Sequence, residues 1–388
     1  MKGPATELIH AGGTDLGAPA PLTTPIYETT TFVFENAQEL VAYNEGRSSK
    51  YLYSRHANPT IVSVERTLAA LDGAESALIF SSGMGATATI LMAHVKAGDE
   101  VVCSAAIYGG TLHLLDDLLA NFGVAARFVS LGELAEPERV ISDRTKAVWF
   151  ESPVNPTLRL VDVRRIAAAC RARSVLSIID NTFASPINQR PLALGVDLAM
   201  QSASKYLNGH SDVTGGTVTG SSSLVGPIGK ARRLLGTVMD PYPAYALGRG
   251  LKTLPLRIAR HNSNAQEVAE FLEQDRRVSQ VCYPGLSTHP DHQVAKRQMT
   301  GFGGMVCFDL DGRFDRAERL YDRLKIVKRA ASLGGVESLI SLPILTSHWG
   351  HTEEQLREAG VTRGMLRLSV GLEDAADLIA DLDQALES

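Results

Sequence analysis

Short apolar runs in this chain end repeatedly in small or polar residues and then give way to stretches with helical periodicity. No other feature restricts the possible folds as much. Ala77-Leu78-Ile79-Phe80 ends in Ser81-Ser82-Gly83-Met84-Gly85, and a helical stretch follows to about Val95. Glu100 to Ser104 precedes a helix expected across Thr111 to Phe122, and Ala147 to Phe150 precedes one ending near Arg173. Val175 to Ile179 leads to Asp180, and Leu198-Ala199-Met200 leads to Lys205. Strands that alternate with helices predict an α/β fold whose sheet is mostly parallel and covered on both faces.

The flanking regions read differently. Residues 1–55 are expected to form an extended arm, because prolines at 4, 19, 21 and 25 and the run Thr29-Thr30-Thr31 discourage helix. Apolar residues at 61, 64, 68 and 71 predict a helix that stops at Asp72-Gly73. Residues 56–245 are assigned to the α/β domain and 246–388 to a smaller C-terminal α+β domain. Val238 to about Lys252 reads as a connection into a long helix from Thr253 to Glu273. Strands are expected at Gly304–Leu310 and Leu366–Val370.

Composition narrows the class of protein. A formal net charge of −5 without a basic block gives no nucleic-acid or anionic-membrane surface. No apolar run approaches the roughly 18 residues of a membrane span, and Met1-Lys2-Gly3-Pro4 does not begin a signal peptide. Cys103, Cys170, Cys282 and Cys307 are far apart, in apolar surroundings, without metal-ligand spacing. The expectation is a cytoplasmic protein without disulfides or metal.

In an open α/β sheet, ligands sit beyond the carboxyl ends of the strands, and four unusual segments fall there. Ser82-Gly83-Met84-Gly85 opens a helix whose first N–H groups can meet an anion, although a plain strand-to-helix turn would look the same. Asp180 closes an apolar strand, either as a cap or as a buried anion facing a cation. Lys205, in Ser202-Ala203-Ser204-Lys205-Tyr206, is poorly explained as a solvated lysine; a buried lysine titrates low and becomes a nucleophile. Glu151-Ser152-Pro153-Val154-Asn155-Pro156-Thr157 holds an asparagine between two prolines. Hydroxyls for a phosphate, a carboxylate for a ring nitrogen and an amine for an aldehyde together match the needs of pyridoxal phosphate.

Over nearly its whole length the chain resembles the pyridoxal-phosphate enzymes of cysteine and methionine metabolism, which share the aspartate-aminotransferase type of fold (fold type I). The resemblance is carried by Tyr53-Ser54-Arg55 with Asn58-Pro59-Thr60, Ser81 to Met84, Tyr108-Gly109-Gly110-Thr111, and Glu151 to Pro156. It continues through Asp180-Asn181-Thr182-Phe183, Ser204-Lys205-Tyr206, Ser332-Leu333-Gly334-Gly335 and Arg367 to Glu373. By this resemblance Lys205 is the Schiff-base lysine and Asp180 the partner of the pyridine nitrogen. The Gly83 and Met84 amides with the Ser202 and Ser204 hydroxyls form the phosphate cradle. Tyr53 and Arg55 complete that cradle from a neighbouring subunit, which makes the arm part of a shared site and implies a homotetramer of active-site-sharing dimers. Tyr108 stacks on the cofactor ring and is a candidate acid or base. Arg367, Asn155 and Ser332 bind the carboxylate of an amino-acid substrate.

The resemblance implies γ-elimination or γ-replacement on a sulfur-containing or homoserine-derived amino acid, of the cystathionine γ-lyase or methionine γ-lyase kind. Cystathionine γ-synthase or O-acylhomoserine sulfhydrylase activity is the alternative, with a β-lyase next and a non-catalytic cofactor-binding protein last. Ala331 stands where the cystathionine γ-enzymes commonly carry glutamate, a departure that counts against cystathionine. Ser347-His348-Trp349-Gly350-His351 also departs from the small-residue pattern expected near the substrate entrance; it shapes a pocket or is an exposed loop.

Overall fold

The computed structural model describes residues 3–12 and 21–387. Seven strands form the larger sheet: β1 (Ser76–Phe80), β2 (Glu100–Ser104), β3 (Ala125–Val129), β4 (Thr145–Glu151), β5 (Leu176–Asp180), β6 (Leu198–Ser202) and β7 (Gly216–Gly220). Their order is β1-β7-β6-β5-β4-β2-β3. Within this sheet β7 alone runs against its neighbours; it is antiparallel to both β1 and β6, while the remaining pairs are parallel. Every strand except β7 therefore ends on the same edge of the sheet, and that edge receives the segments after β1, β2, β4, β5 and β6.

Both faces of this sheet are covered. Ile90, Leu91, Leu115, Trp149 and Ile178 belong to the core on one side, and Val148, Phe150, Ile166, Cys170 and Ile179 to the core on the other. Successive residues of β4 thus point into opposite cores, which is why the strand reads as a continuous apolar run. All four cysteines are buried and unpaired.

A second sheet, ordered β10-β11-β12-β9-β8, comprises β8 (Gln280–Cys282), β9 (Met305–Asp309), β10 (Lys328–Arg329), β11 (Leu339–Ser341) and β12 (Met365–Ser369). The long Leu254–Gln274 helix supplies Val268, Ala269 and Leu272 to its core. Three strands here are too short for a periodic signal to stand out, and β3 and β7 of the large sheet likewise escape a reading of the sequence.

Three local expectations need correction. The N-terminal arm is extended around residues 21–36 but contains two helices, Pro4–His10 and Ala37–Asn44. Pro4 occupies the first helical turn, where a missing N–H costs nothing, and Asn36 caps the second helix by accepting from the Glu39 N–H. Pro19 lies outside the described residues. The expected connection after Val238 contains a helix, Pro241–Leu251, again with proline in its first turn and Asp240 as its cap. The Thr111–Phe122 stretch is a broken helix: α from Gly109 to His113, a wider π turn over Leu114–Leu118, then a tight 3-10 turn to Phe122.

Candidate active site

A cavity of about 590 Å³ opens at the carboxyl edge of the large sheet and reaches across to the second sheet. Its floor comes from strand ends. Glu151 closes β4 and Asp180 closes β5, and the two are direct cross-strand partners. The Asp180 carboxylate accepts the Thr182 N–H at 3.0 Å, and the Thr182 hydroxyl accepts the Ser202 N–H at 2.8 Å. Burial pushes both carboxyls up, and at Glu151 the Asp180 charge adds to the rise. Two adjacent buried carboxyls cannot both ionise cheaply, so the pair holds a proton.

Lys205 lies just beyond β6, and its Nζ donates to the Ser332 hydroxyl at 2.8 Å. Burial lowers its proton affinity, and the nearby Arg367 charge lowers it further. Ser332 arrives from the far side of the chain because Gly334 packs against Tyr206. At φ +73°, a Cβ there would sit 2.7 Å from the Tyr206 nitrogen, so only glycine allows this approach.

Arg367 is buried in the middle of β12, and its Nη1 donates to Asn155 Oδ1 at 2.8 Å. Its Nε is buried without a partner. A buried guanidinium that lines a cavity is suited to an entering carboxylate, which its planar fork can hold through two bonds.

On the β1 side, Ser82 caps the Gly83–His94 helix by accepting the Gly85 N–H at 2.9 Å. The Gly83 and Met84 amides are in the first turn and have no intrahelical acceptor. A Cβ on Gly83 would lie 3.3 Å from Ser202 Cβ and Oγ, so the glycine keeps helix start and β6 end close enough to form one concave surface. The Ser204 hydroxyl accepts the Gly215 N–H at 2.9 Å and still lines the cavity. Amides at a helix start beside three serine hydroxyls suit a phosphate, a lysine amine suits an aldehyde, and a carboxylate suits a protonated ring nitrogen. The residues present fit pyridoxal phosphate.

Ten residues singled out in the sequence converge here: Gly83, Met84, Tyr108, Asn155, Asp180, Ser202, Ser204, Lys205, Ser332 and Arg367 all line the cavity. Tyr53 and Arg55 do not. They pair with each other instead, the guanidinium carbon 4.9 Å from the ring centre. Glu151 and Thr182 lie within the motifs that carry the resemblance, yet nothing in those motifs gives them a role. A signal for Glu151 does exist, since Trp149-Phe150-Glu151 has the same apolar-then-acidic ending as Ile178-Ile179-Asp180.

Ala331 and Ser347 form part of the outer wall. His348 sits beside them, with Nδ1 2.9 Å from the Ser347 hydroxyl and its ring centre 5.0 Å from that of His351. Burial, then the His351 and Arg367 charges, lower its pKa to about 4. Trp349 is 73% exposed and, with both histidines, lines a neighbouring groove that shares Asn155 and Ser347 with the cavity. The segment therefore borders the site without closing it.

Comparison with known proteins agrees with this geometry. L-methionine γ-lyase of Fusobacterium nucleatum subsp. nucleatum is 41% identical over 389 residues, spanning 100% of this chain and 98% of the relative. Cystathionine β-lyase of Lactococcus lactis subsp. cremoris is 39% identical over 98% of each chain. A solved structure of cystathionine γ-lyase from Lactobacillus plantarum, complexed with L-serine, superposes with a TM-score of 0.93 at 38% identity, covering 100% of this chain and 99% of the other. The fold is that of the fold type I pyridoxal-phosphate enzymes, and the cofactor is pyridoxal phosphate. The model of the Cys/Met metabolism PLP-dependent enzymes matches residues 5–387, and the chain belongs to that family, whose members act on sulfur amino acids as lyases and synthases.

Proposed function

We propose that this enzyme carries out γ-elimination, or the closely related γ-replacement, on an amino acid whose side chain ends in a neutral group, such as a thioether or an acylated hydroxyl. The observation that carries the choice is the outer wall. The carboxylates lining the cavity are Glu151 and Asp180, both on the floor. Ala331, exposed at the mouth of the cavity, offers no charge to a distal ammonium, so a substrate like cystathionine would gain no ion pair there. γ-Synthase or sulfhydrylase chemistry is the second reading, favoured by the groove that adjoins the cavity at Asn155 and Ser347 and gives a thiol a route in.

Pyridoxal phosphate, when bound, supplies an aldehyde for the substrate amine and a ring that accepts the electron pair left behind by the α-proton. The remaining work is assigned to this chain. Gly83, Met84, Ser202 and Ser204 hold the phosphate, and Asp180 keeps the ring nitrogen protonated. Arg367, backed by Asn155, fixes the substrate carboxylate. Lys205, whose proton affinity is lowered by burial, would take the α-proton, hand it on, and then take a β-proton, whose bonding pair expels the γ-leaving group. Ser332 holds that amine in place. Tyr108, on the cavity wall, would stack on the bound ring and serve as acid or base for the departing sulfur or oxygen.

Assembly belongs to the same proposal. Tyr53 and Arg55 lie outside their own cavity, and Leu22, Val33 and Val41 of the arm are exposed. A homotetramer built from site-sharing dimers, in the cytoplasm, would cover these side chains and bring the pair to a neighbour's phosphate. In this arrangement residues 1–55 serve the neighbouring subunit, 56–245 bind the cofactor and 246–388 complete the substrate pocket.

Product analysis tests the reaction. Purified enzyme is offered methionine, homocysteine, cystathionine, cysteine, and O-acetyl- or O-succinylhomoserine with a thiol. The expected product is 2-oxobutyrate from methionine or homocysteine, or a new thioether from the acylated homoserines. Pyruvate from cystathionine as the main product would overturn the proposal in favour of a β-lyase.

A further inference from the structure

We propose that Glu151 is a positioning residue for the reaction: its carboxyl group locks Tyr108, Asn155 and, through Asn155, Arg367 into a single arrangement around Asp180. The inference builds on the reading of the cavity as the cofactor site but concerns a residue that acts through Tyr108 and Asn155.

Four contacts support it. Oε1 of Glu151 accepts the Tyr108 N–H at 2.6 Å, across 43 residues of sequence. The Asn155 backbone N–H faces the same carboxyl and offsets part of the rise that burial causes. Asn155 in turn accepts from Arg367 at 2.8 Å. Strand register places Glu151 directly beside Asp180. One side chain, 4% exposed, thus joins the segments after β2, β4 and β5 to β12 of the second sheet.

Local structure around Tyr108 makes this bond necessary. The residue precedes a helix with only five residues of α geometry before the π turn, and its side chain forms no cap. Tyr108 itself is 51% exposed, so packing does little to fix the ring. The backbone bond to Glu151 is what sets where the phenol begins.

The protonation state follows from the neighbours. Asp180 receives a hydrogen bond from Thr182 and faces the cavity, where a cationic ring nitrogen would stabilise its charge. Glu151 lines the same floor but is the more buried of the two, and its partners are the Tyr108 and Asn155 backbone amides rather than a cation. The proton of the pair therefore resides on Glu151, and Asp180 remains the anion. A neutral carboxyl can still accept through both oxygens, so holding the proton does not break the Tyr108 bond.

Two variants and one spectrum test the assignment in the holoenzyme. Glu151→Gln keeps a neutral group with an oxygen for the Tyr108 N–H; Glu151→Ala leaves that amide without a partner. Glu151→Ala is expected to raise KM about tenfold and lower kcat about tenfold, the scale of a lost buried hydrogen bond. Glu151→Gln is expected to restore both to within about threefold of wild type. Equal losses in the two variants, or unchanged kcat and KM in folded Glu151→Ala, would overturn the proposal. If Glu151→Ala does not fold, the infrared difference between wild type and Glu151→Gln decides. A protonated-carboxyl carbonyl band present only in wild type at pH 8 supports the assignment, and its absence from wild type overturns it. The cofactor reading fails separately, by absence of visible cofactor absorbance in wild type.

Discussion

At the floor of the cavity, Glu151, Asp180 and Ser202 close three adjacent parallel strands, and each is hydrogen-bonded to backbone or to a neighbouring hydroxyl. At the outer wall, Ala331 and Ser347 come from loops that flank β11, and Trp349 is largely exposed. A strand end cannot move without shifting the register of its neighbours, and a one-residue slip would turn Asp180 to the opposite face. Loops carry no such penalty. On the proposed reading, the chemistry is built on the part of the molecule that tolerates least displacement, and substrate choice is left to the part that tolerates most. Relatives of nearly equal identity that are named methionine γ-lyase and cystathionine β-lyase accord with this division.

Substitutions at the floor and at the wall should separate accordingly. The largest effect is expected from Lys205→Ala, which on the proposed assignment removes both the cofactor attachment and the proton carrier. Turnover should fall by at least about 10⁴-fold, with loss of visible cofactor absorbance; turnover within tenfold of wild type would refute the role. Asp180→Asn should lower kcat about 10²-fold or more while KM changes little, because it removes charge stabilisation from the reacting state. Steady-state kinetics with any accepted substrate will measure it.

Arg367→Ala spans the two regions. Loss of a buried, charge-assisted anchor should raise KM about 10²-fold, and a smaller effect than that of Asp180→Asn on kcat would confirm that it binds rather than reacts. At the wall the effects shrink and change kind. Ala331→Glu should leave kcat with methionine within about threefold while improving kcat/KM for cystathionine about fivefold, the scale of a modest ion pair. Competition between the two substrates gives the ratio directly.

His348 provides the smallest effect. Burial disfavours its charged form and moves its pKa to about 4, so the folded state binds fewer protons at this ring than the unfolded chain. Any stability from this neutral histidine is present above the ordinary histidine range and is lost as pH falls from about 6.5 toward 4. Substrate selectivity should accordingly be flat between pH 6 and pH 8 as far as this ring is concerned. A selectivity change near pH 6 that disappears in His348→Ala would show the wall to be charged and would break the comparison.

Much of the floor is legible in the residues themselves. The apolar runs ending in Glu151, Asp180 and Ser202 mark buried strands because both faces of a parallel sheet are covered, and a polar residue that ends such a run must face something other than the core. The N-terminal arm is less legible. Prolines suppress helix in the middle of an element but favour its first turn, so Pro4 and Pro241 signal starts rather than absences. Short strands such as β10 and β11 escape periodicity altogether, since two or three residues cannot display an alternation.

The order of residues along the chain dictates the chemistry available: a lysine, an aspartate, helix-start amides, serines and an arginine, each within a strand or in the segment that follows one. How they act together is a property of the folded molecule. β7 is the reversed strand of the large sheet, so the other ends share an edge. Gly334 brings Ser332 to Lys205 across 127 residues, and Arg367 meets Asn155 across 212. Such pairings depend on packing between distant segments, and no local pattern of residues encodes them. The burial that drives the Glu151 and Asp180 carboxyls upward belongs to the same level, since the water they lose is displaced by strands and loops far along the chain.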